Sequence, residues 1–231
     1  MKFYTKEVYE QMQVYGYLPF FINEGEVEES LEETREYFKN QGIDYDVVRK
    51  SCFEEIKPYL LKYLPKSLKS IVYDEGLIYG KLSNNVLKEE IEKYKKILNK
   101  MFVEIGKNYD NHYKNIENFL AEDIKSLGKL CNFHDSRIMS IEYPSKEEIT
   151  IKLDCKGSYL PSEGVATLKF QNVKFADISD KHIGGSWVYG EVHLSTIACF
   201  DFRALLCNCQ HNSSFQGDEL RIVADKVSLS F

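Results

Sequence analysis

The sequence lacks the long apolar run that a secretory signal or a membrane-spanning helix requires. Its opening, MKFYTKEVYEQMQ, places a charged or amide side chain every few residues instead. We therefore expect a cytoplasmic protein with no membrane partner. In that compartment its 6 cysteines would remain reduced thiols rather than form disulfides.

An excess of basic charge is also missing. The chain has 30 lysines and arginines against 36 aspartates and glutamates, which gives a net charge of -6. Binding to a phosphate backbone normally depends on clustered positive charge, so this balance argues against a nucleic-acid partner.

The well-marked catalytic and cofactor motifs are absent as well. The sequence has no Walker A loop, GxGxxG, HExxH, GxSxG, CxxC pair or EF-hand loop. This excludes the well-marked NTPases, dehydrogenases, zinc proteases and α/β-hydrolases, and we expect no cofactor. Enzymes that lack such motifs stay open.

Two different periodicities divide the sequence near residue 130. Residues 1–130 repeat apolar side chains every three or four positions, as amphipathic helices do, and they are rich in tyrosine and glutamate. Residues 131–231 alternate apolar and polar side chains, as half-buried strands do. Since no helix long enough for parallel crossovers separates these strands, the sheet should be mostly antiparallel. The predicted fold is α+β, with a helical region at 1–130 and an antiparallel β-sheet or sandwich at 131–231.

The helical stripe that ends at Leu127 is unusually long. As one rod it would span about 64 Å, more than a compact domain of this size can use. We predict a break near Gly106 and two helices packed as an antiparallel hairpin, with His112 as a contact between them.

The first strand of the second half should face the core with Met139, Ile141 and Tyr143, because these residues alternate with polar ones. The alternation slips phase at residues 171–172 and 225–226. Each slip predicts a β-bulge or a tight bend.

His134 and Asp135 stand side by side where the helical pattern ends. A His-Asp pair binds metal in HD phosphohydrolases, which suggests a metal-dependent hydrolase centred on this pair. The candidates for its further ligands are His182, His193 and His211. The HD fold is wholly helical, however, whereas this pair leads directly into a strand. The alternative is a turn in which Asp135 accepts the amide of Arg137, and the two side chains pair if the strand already begins at Asp135.

Cys207, Cys209 and His211 form a second candidate, a partial metal site. On a strand all three side chains would point to one side, but neighbouring side chains there lie about 6.7 Å apart. Two thiolates on one zinc ion need their sulfur atoms within about 3.8 Å, and no second pair of ligands marks the sequence. The alternative is an ordinary strand end with partly buried thiols.

The third candidate is a binding surface on the strand at residues 187–194. If Val188 and Val192 face the core, alternation leaves four side chains on the outer face. These are Trp187, Tyr189, Glu191 and His193. Aromatic side chains beside a few polar groups are typical of the centres of protein-protein contacts. The alternative is that the helical half covers this face.

The opening FYTKEVYEQMQ, the helical half rich in tyrosine and glutamate, and the stretch HDSRI at residues 134–138 together resemble a family of uncharacterised bacterial proteins known only as a domain of unknown function. This resemblance spans nearly the full length and implies no catalytic residue. Through HDSRI followed by a meander, residues 131–231 are also similar to the small β-rich domains of immunity proteins in bacterial toxin systems.

The missing motifs and the predicted outer face lead to our first functional hypothesis. It is a cytoplasmic, non-enzymatic protein that binds another protein, in one form as an immunity-type partner of a toxin. The alternative hypothesis is the metal-dependent hydrolase centred on His134 and Asp135. A third is a structural subunit or homo-oligomer, and the sequence does not fix the oligomeric state.

Overall fold

Helices occupy the first half of the chain and strands the second, so the predicted α+β class is confirmed. The computed structural model describes residues 1–19, 24–82, 84–129, 133–156, 158, 164–207 and 217–231. The α-helices are α1 (Lys6–Tyr17), α2 (Glu24–Asn40), α3 (Tyr45–Tyr63), α4 (Asn85–Ile116) and α5 (Glu122–Lys129). Short 3-10 helices lie at Lys69–Tyr73, Glu75–Tyr79, Glu117–Phe119 and Asp180–His182. None of the described helices is both long enough and apolar enough to cross a membrane.

The described strands form one eight-stranded sheet in which every pair of neighbours is antiparallel, as predicted. The strands are β1 (Arg137–Ser145), β2 (Glu148–Asp154), β3 (Val165–Gln171), β4 (Phe175–Asp177), β5 (Ser186–Leu194), β6 (Phe200–Cys207), β7 (Gly217–Ala224) and β8 (Lys226–Ser230). Their order across the sheet is β4-β7-β6-β5-β1-β2-β3-β8.

The chain divides into two compact units, which we describe separately. The sheet unit contains residues 1–9 and 103–231, and therefore the whole sheet. The helical unit contains residues 10–102. The division into a helical region at 1–130 and a β region at 131–231 stays a prediction.

Two buried charged side chains of the helical unit, Glu10 and Lys95, have hydrogen-bond partners within that unit. Glu10 accepts hydrogen bonds from Lys62 Nζ at 2.8 Å and from the hydroxyl of Tyr63 at 2.6 Å. Burial, together with this carboxylate, raises the pKa of Tyr63 to about 12. Lys95 is also buried, and it donates to the backbone carbonyl of Leu18 at 2.9 Å. These contacts replace the hydrogen bonds to water that burial removes.

The long helix α4 is continuous, so the predicted hairpin with a break near Gly106 is wrong. Its 32 residues span about 48 Å. The hairpin prediction assumed a rod confined to one compact domain, whereas α4 contributes residues to both units. A glycine inside a helix costs about 1 kcal/mol relative to alanine. That cost is too small to break a helix anchored by buried side chains such as Tyr109 and Ile116.

The sheet curves strongly around an aromatic core. Three strands separate β3 from β6 in the order of the sheet, yet the rings of Phe170 and Phe202 lie 5.6 Å apart between centroids. The chain passes from β7 to β8 through Asp225 alone, although these strands lie near opposite ends of the order. Asn172, with φ of 52°, bends the chain directly after β3. The bends predicted at residues 171–172 and 225–226 are confirmed.

A bulge in β1 changes which of its side chains face the core. The pairing with β2 shifts between Ile138 and Ser140. As a result Ile138 and Ile141 are buried in the core, whereas Met139 is exposed. The predicted inward direction is therefore correct for Ile141 and wrong for Met139, because an extra residue reverses the alternation. It is also wrong for Tyr143, which is exposed where the pairing with β2 shifts a second time.

The neighbours Ile138 and Met139 test this bulge directly. Ile138→Ala should lower the free energy of unfolding by about 2–5 kcal/mol, because it leaves a cavity in the core. Met139→Ala should change it by less than about 0.5 kcal/mol, since that side chain is half exposed. Denaturant unfolding of both variants measures the difference. Equal losses, or a larger loss for Met139→Ala, would contradict the bulge.

Candidate functional site

Glu191 in β5 carries a carboxylate that is fully buried in the sheet unit. Its Oε1 accepts the backbone N–H groups of Phe3 and Tyr4 at 2.8 and 2.7 Å. Its Oε2 accepts the backbone N–H of Lys2 at 2.8 Å. Three consecutive amides thus converge on one anion and offset the loss of its hydration. Residues 2–4 are fixed across β5 by these contacts.

His193, two residues further along β5, supplies the fourth hydrogen bond to Glu191. Its Nε2 lies 2.8 Å from Oε2 of Glu191, and its Nδ1 lies 2.9 Å from Nε2 of His112 on α4. Because the ionised carboxylate only accepts, Nε2 of His193 carries a hydrogen. The contact between the two imidazoles then needs one hydrogen shared by two nitrogens. His112 and His193 together can accept one further proton without losing this contact. A second would put a hydrogen on both Nδ1 of His193 and Nε2 of His112, which would then repel each other.

The electrostatics of this cluster favour one charge state at neutral pH. Burial alone would raise the pKa of Glu191, but the hydrogen bonds from His193 and from the backbone of residues 2–4 outweigh it and lower the pKa to about 2. Burial, followed by the nearby His193 and Lys2, lowers the pKa of His112 below its ordinary value of 6.5. An ionised Glu191 and a neutral His112 therefore lie at the two ends of the hydrogen-bonded chain.

Aromatic rings from residues 3 and 4 cover the cluster. Phe3 stacks on His193 with ring centroids 6.2 Å apart and lies 5.2 Å from His112. Tyr4 stacks on Tyr189 at 4.8 Å. The rings keep water away from the carboxylate, which strengthens its hydrogen bonds.

Tyr109 and His112 reach the sheet from one face of α4, because residues three apart share a helix face. The hydroxyl of Tyr109 accepts the backbone N–H of Val192 in β5 at 3.0 Å. The prediction that His112 joins two helices is wrong, since α4 has no turn there and His112 contacts β5. Sequence reasoning missed this cluster. The available signal was a histidine on an apolar helical stripe together with polar residues at alternate positions, 191 and 193, of a strand.

The cluster can hold a negative charge and move a proton along its imidazoles, but its contacts are those of an anchor. Among the described residues, no serine, threonine or cysteine side chain is hydrogen-bonded to Glu191, His193 or His112. A nucleophile activated by this chain would need such a contact. We interpret the cluster as the attachment of residues 2–4 to the sheet.

The predicted outer face of β5 is wrong in two respects. A register shift between Trp187 and Tyr189 turns Trp187 to the opposite face, where its ring packs on Phe202 at 5.6 Å. Glu191 and His193 do share a face with Tyr189, but both are buried. Residues 2–4 and α4, which belong to the helical half of the sequence, cover them, as the alternative interpretation stated. A role of these residues in binding a partner stays a prediction.

His134 and Asp135 form the turn that leads into β1, as the structural alternative predicted. Asp135 has φ of 69°, and its backbone N–H donates to the carbonyl of Trp187 at 2.9 Å. The expected pairing of Asp135 with Arg137 is wrong, because the chain is not yet extended at Asp135. Arg137 Nε donates instead to the carbonyl of Gly184 at 3.0 Å. His134 Nδ1 lies 2.9 Å from Oδ2 of Asp135, and both side chains are largely exposed.

Within the described residues, no group of three or more histidine, cysteine, aspartate or glutamate side chains is placed to hold a metal ion. Cys207 is buried among apolar side chains, while Cys209 and His211 lie outside the described residues. The backbone N–H of Ser179 lies 3.1 Å from Nδ1 of His182. The structure thus joins none of the described candidate ligands to the His-Asp turn.

A second feature of the sheet unit is an open cleft of about 560 Å³ between the β1–β2 hairpin and β4. We call it the β4 cleft, and its main lining residues are Tyr143, Lys146, Ile149, Val173, Lys174 and Phe175. Tyr143 and Phe175 are 51% and 43% exposed. The hydroxyl of Tyr143 donates to the carbonyl of Ile178 at 3.1 Å, which holds the hairpin against the segment after β4.

The ring of Phe175 is supported from the sheet. The guanidinium carbon of Arg221 in β7 lies 5.1 Å from its centroid. Arg221 in turn donates twice to the largely buried Asp201, through Nε and Nη2, each at 2.9 Å. Burial acts to raise the pKa of Asp201, but Arg203 and Arg221 outweigh it and lower that pKa below 3.8. The bidentate ion pair fixes the arginine on which Phe175 rests.

The sequence did not reveal the β4 cleft, because the alternation directed Tyr143 toward the core. The signal that could have found it is the repeated pairing of an aromatic residue with a nearby lysine. Such pairs occur at Tyr143 and Lys146 and again at Lys174 and Phe175.

Comparison with known proteins gives one match. A family model described as Protein of unknown function (DUF4085) matches residues 3–214. The resemblance of the opening FYTKEVYEQMQ and of HDSRI to a family of unknown function is thereby confirmed. Neither a bacterial origin nor a likeness to immunity proteins is part of this match. No curated protein and no solved structure matches the chain.

Removing the charge of Glu191 tests its role as an anchor. Glu191→Gln should lower the free energy of unfolding by about 2–5 kcal/mol, because a neutral amide turns two hydrogens toward groups that are themselves donors. Glu7→Gln in α1 is the matched control, since Glu7 is exposed, and it should lower the free energy of unfolding by less than about 1 kcal/mol, the size of a helix N-terminal charge effect. Denaturant unfolding at neutral pH measures both. A Glu191→Gln variant as stable as the wild type would contradict the role.

The stability difference between the wild type and Glu191→Gln should depend on pH. Since the pKa of Glu191 falls from 4.5 to about 2 on folding, its contribution is complete above pH 4.5 and is lost as the pH falls toward 2. That contribution amounts to roughly 3 kcal/mol. The stability difference between the wild type and Glu191→Gln should therefore shrink below pH 4.5. Other acidic groups, such as Asp201, are present in both proteins, so their contributions cancel in the stability difference. A difference that stays constant down to the acid limit would contradict an ionised, hydrogen-bonded Glu191.

Proposed function

Since this chain belongs to the DUF4085 family, whose description assigns no activity, we propose its function from its own surface: it binds another protein, without catalysis, through the β4 cleft. The observation that supports this most directly is the pair of exposed rings of Tyr143 and Phe175 beside a short strand at the end of the sheet. Exposed aromatic side chains are enriched at the centres of protein-protein contacts.

Both rings are held in place before any partner arrives. The hydroxyl of Tyr143 is bound to the carbonyl of Ile178, and Phe175 rests on Arg221. A side chain that is already ordered loses little conformational entropy when a partner covers it. The cleft therefore has the character of a preformed contact surface.

Protein binding is also the function that the sequence suggested, but the site proposed here is the β4 cleft instead of the face of β5. The face of β5 that carries Glu191 and His193 is filled by the chain's own residues 2–4, so it offers a partner no surface while that segment is bound. The β4 cleft offers apolar area and polar rim groups together. An immunity-type role is one form of this function and stays a prediction, as do the cytoplasmic location and the absence of nucleic acid from the partners.

The alternative, a metal-dependent hydrolase centred on His134 and Asp135, also stays a prediction. In the described residues their side chains contact each other, and no third ligand accompanies them. No observation of the site favours hydrolysis over a structural turn. We therefore argue only the binding function.

Removing both rings tests the proposal. The double variant Tyr143→Ser/Phe175→Ser should lose at least about tenfold in affinity for the native partner, since truncating a central aromatic residue of an interface commonly costs more than 1 kcal/mol. The partner is captured from the native cell lysate, identified, purified and titrated by calorimetry. Thermal unfolding verifies that the variant is folded.

The matched control is Phe119→Ser/Tyr73→Ser, which removes one exposed phenylalanine and one exposed tyrosine outside the cleft. It should bind the partner as the wild type does. Equal affinity of the cleft variant and the wild type for every captured protein would contradict the proposal. So would an equal loss in both variants, because the effect would then reflect general surface hydrophobicity.

A further inference from the structure

The strand β4 presents an edge to the cleft. It pairs with β7 on one side, and it ends the order of the sheet within the described residues. Its three residues, Phe175–Asp177, are all exposed. An exposed edge of this kind can take up an extended segment of another chain through backbone hydrogen bonds.

Two lysines, Lys146 and Lys174, line the cleft, although the protein as a whole carries a net charge of -6. Lys152 in β2 and Lys169 in β3 are each paired with a glutamate, with nitrogen–oxygen distances of 2.7 and 3.6 Å. Lys146 and Lys174, by contrast, are exposed in the cleft and have no carboxylate within ion-pair distance among the described residues. No acidic residue belongs to the described lining, and the carboxylate that acts on it from outside is Asp180, which after burial raises the pKa of Tyr143. A local excess of unpaired ammonium groups selects an occupant with negative charge.

The floor of the cleft adds a requirement for apolar groups. Ile149 and Val173 line the cleft together with Tyr143 and Phe175, and Arg221 is already bound to Asp201. A phosphate group is bound most specifically by a free arginine fork, which the described lining lacks, and it gains nothing from the apolar side chains of Ile149 and Val173. A segment with alternating carboxylate and apolar side chains satisfies the edge, the rim and the floor together.

We propose that the β4 cleft binds an extended acidic segment of its partner protein, which pairs with the edge of β4, places carboxylates on Lys146 and Lys174 and inserts an apolar side chain between Tyr143 and Phe175. This inference rests on the proposed function and names its partner by chemistry. The carboxylates alternate with the apolar side chain because successive residues of a strand point to opposite sides.

The test uses a short capped peptide that alternates glutamate with valine around one phenylalanine. The full chain is titrated with this peptide by calorimetry, and the backbone amides are followed by NMR. We expect saturable binding and shifts centred on Phe175–Asp177. Two control peptides, one with lysine in place of glutamate and one with prolines that prevent strand pairing, should not bind.

The double variant Lys146→Ala/Lys174→Ala should bind the acidic peptide about tenfold more weakly, as the loss of two rim ion pairs predicts. The matched control, Lys156→Ala/Lys226→Ala, removes two exposed lysines outside the cleft and should bind it normally.

Four results would overturn the inference: no binding of the acidic peptide, equal binding of the lysine peptide, no effect of the cleft lysines, or displacement of the peptide by a single-stranded oligonucleotide. Its failure is distinguishable from that of the proposed function. If the acidic peptide fails but Tyr143→Ser/Phe175→Ser still loses the native partner, the inference is wrong and the binding function stands. If that variant keeps its partner, the binding function itself is wrong.

Discussion

The buried carboxylate of Glu191 is the constraint on which the arrangement of the sheet unit depends. An anion without hydration is tolerated only when several donors replace its water. Here the donors are three backbone amides of residues 2–4 and the imidazole of His193. Since His193 also contacts His112, one charge ties the start of the chain, β5 and α4 together. The elements meet there because the carboxylate needs partners that β5 alone cannot supply.

This constraint also explains where a binding surface is left. The face of β5 with Tyr189, Glu191 and His193 carries aromatic and polar groups suited to recognition, and the chain's own residues 2–4 use them. The β4 cleft lies where Asn172 bends the chain after β3, and its two rings remain exposed. Its lysines are unpaired with described carboxylates, whereas the carboxylates of Glu191 and Asp201 are hydrogen-bonded to His193 and Arg221. The fold thus separates an internal anchor from an external contact surface.

The sequence predicted the class of the fold because helical and strand periodicities are properties of local stretches. The bends near Asn172 and Asp225 were also visible, since each interrupts an alternation. The direction of Met139 and Trp187 was not, because a single bulge residue reverses the alternation without altering composition. The site around Glu191 was missed for another reason. Its donors come from residues 2–4 and from α4, and only the folded chain brings such distant positions together.

Hydrogen exchange of the backbone amides, measured in the free protein and in its complex with the captured partner, tests most directly which surface serves which role. The amides of residues 2–4 should be protected in the free protein and unchanged in the complex, because Glu191 already binds them. Protection in the complex should appear at β4 and at the β1–β2 hairpin. The opposite result, unprotected amides at residues 2–4 that become protected only with the partner while β4 stays unchanged, would contradict the account.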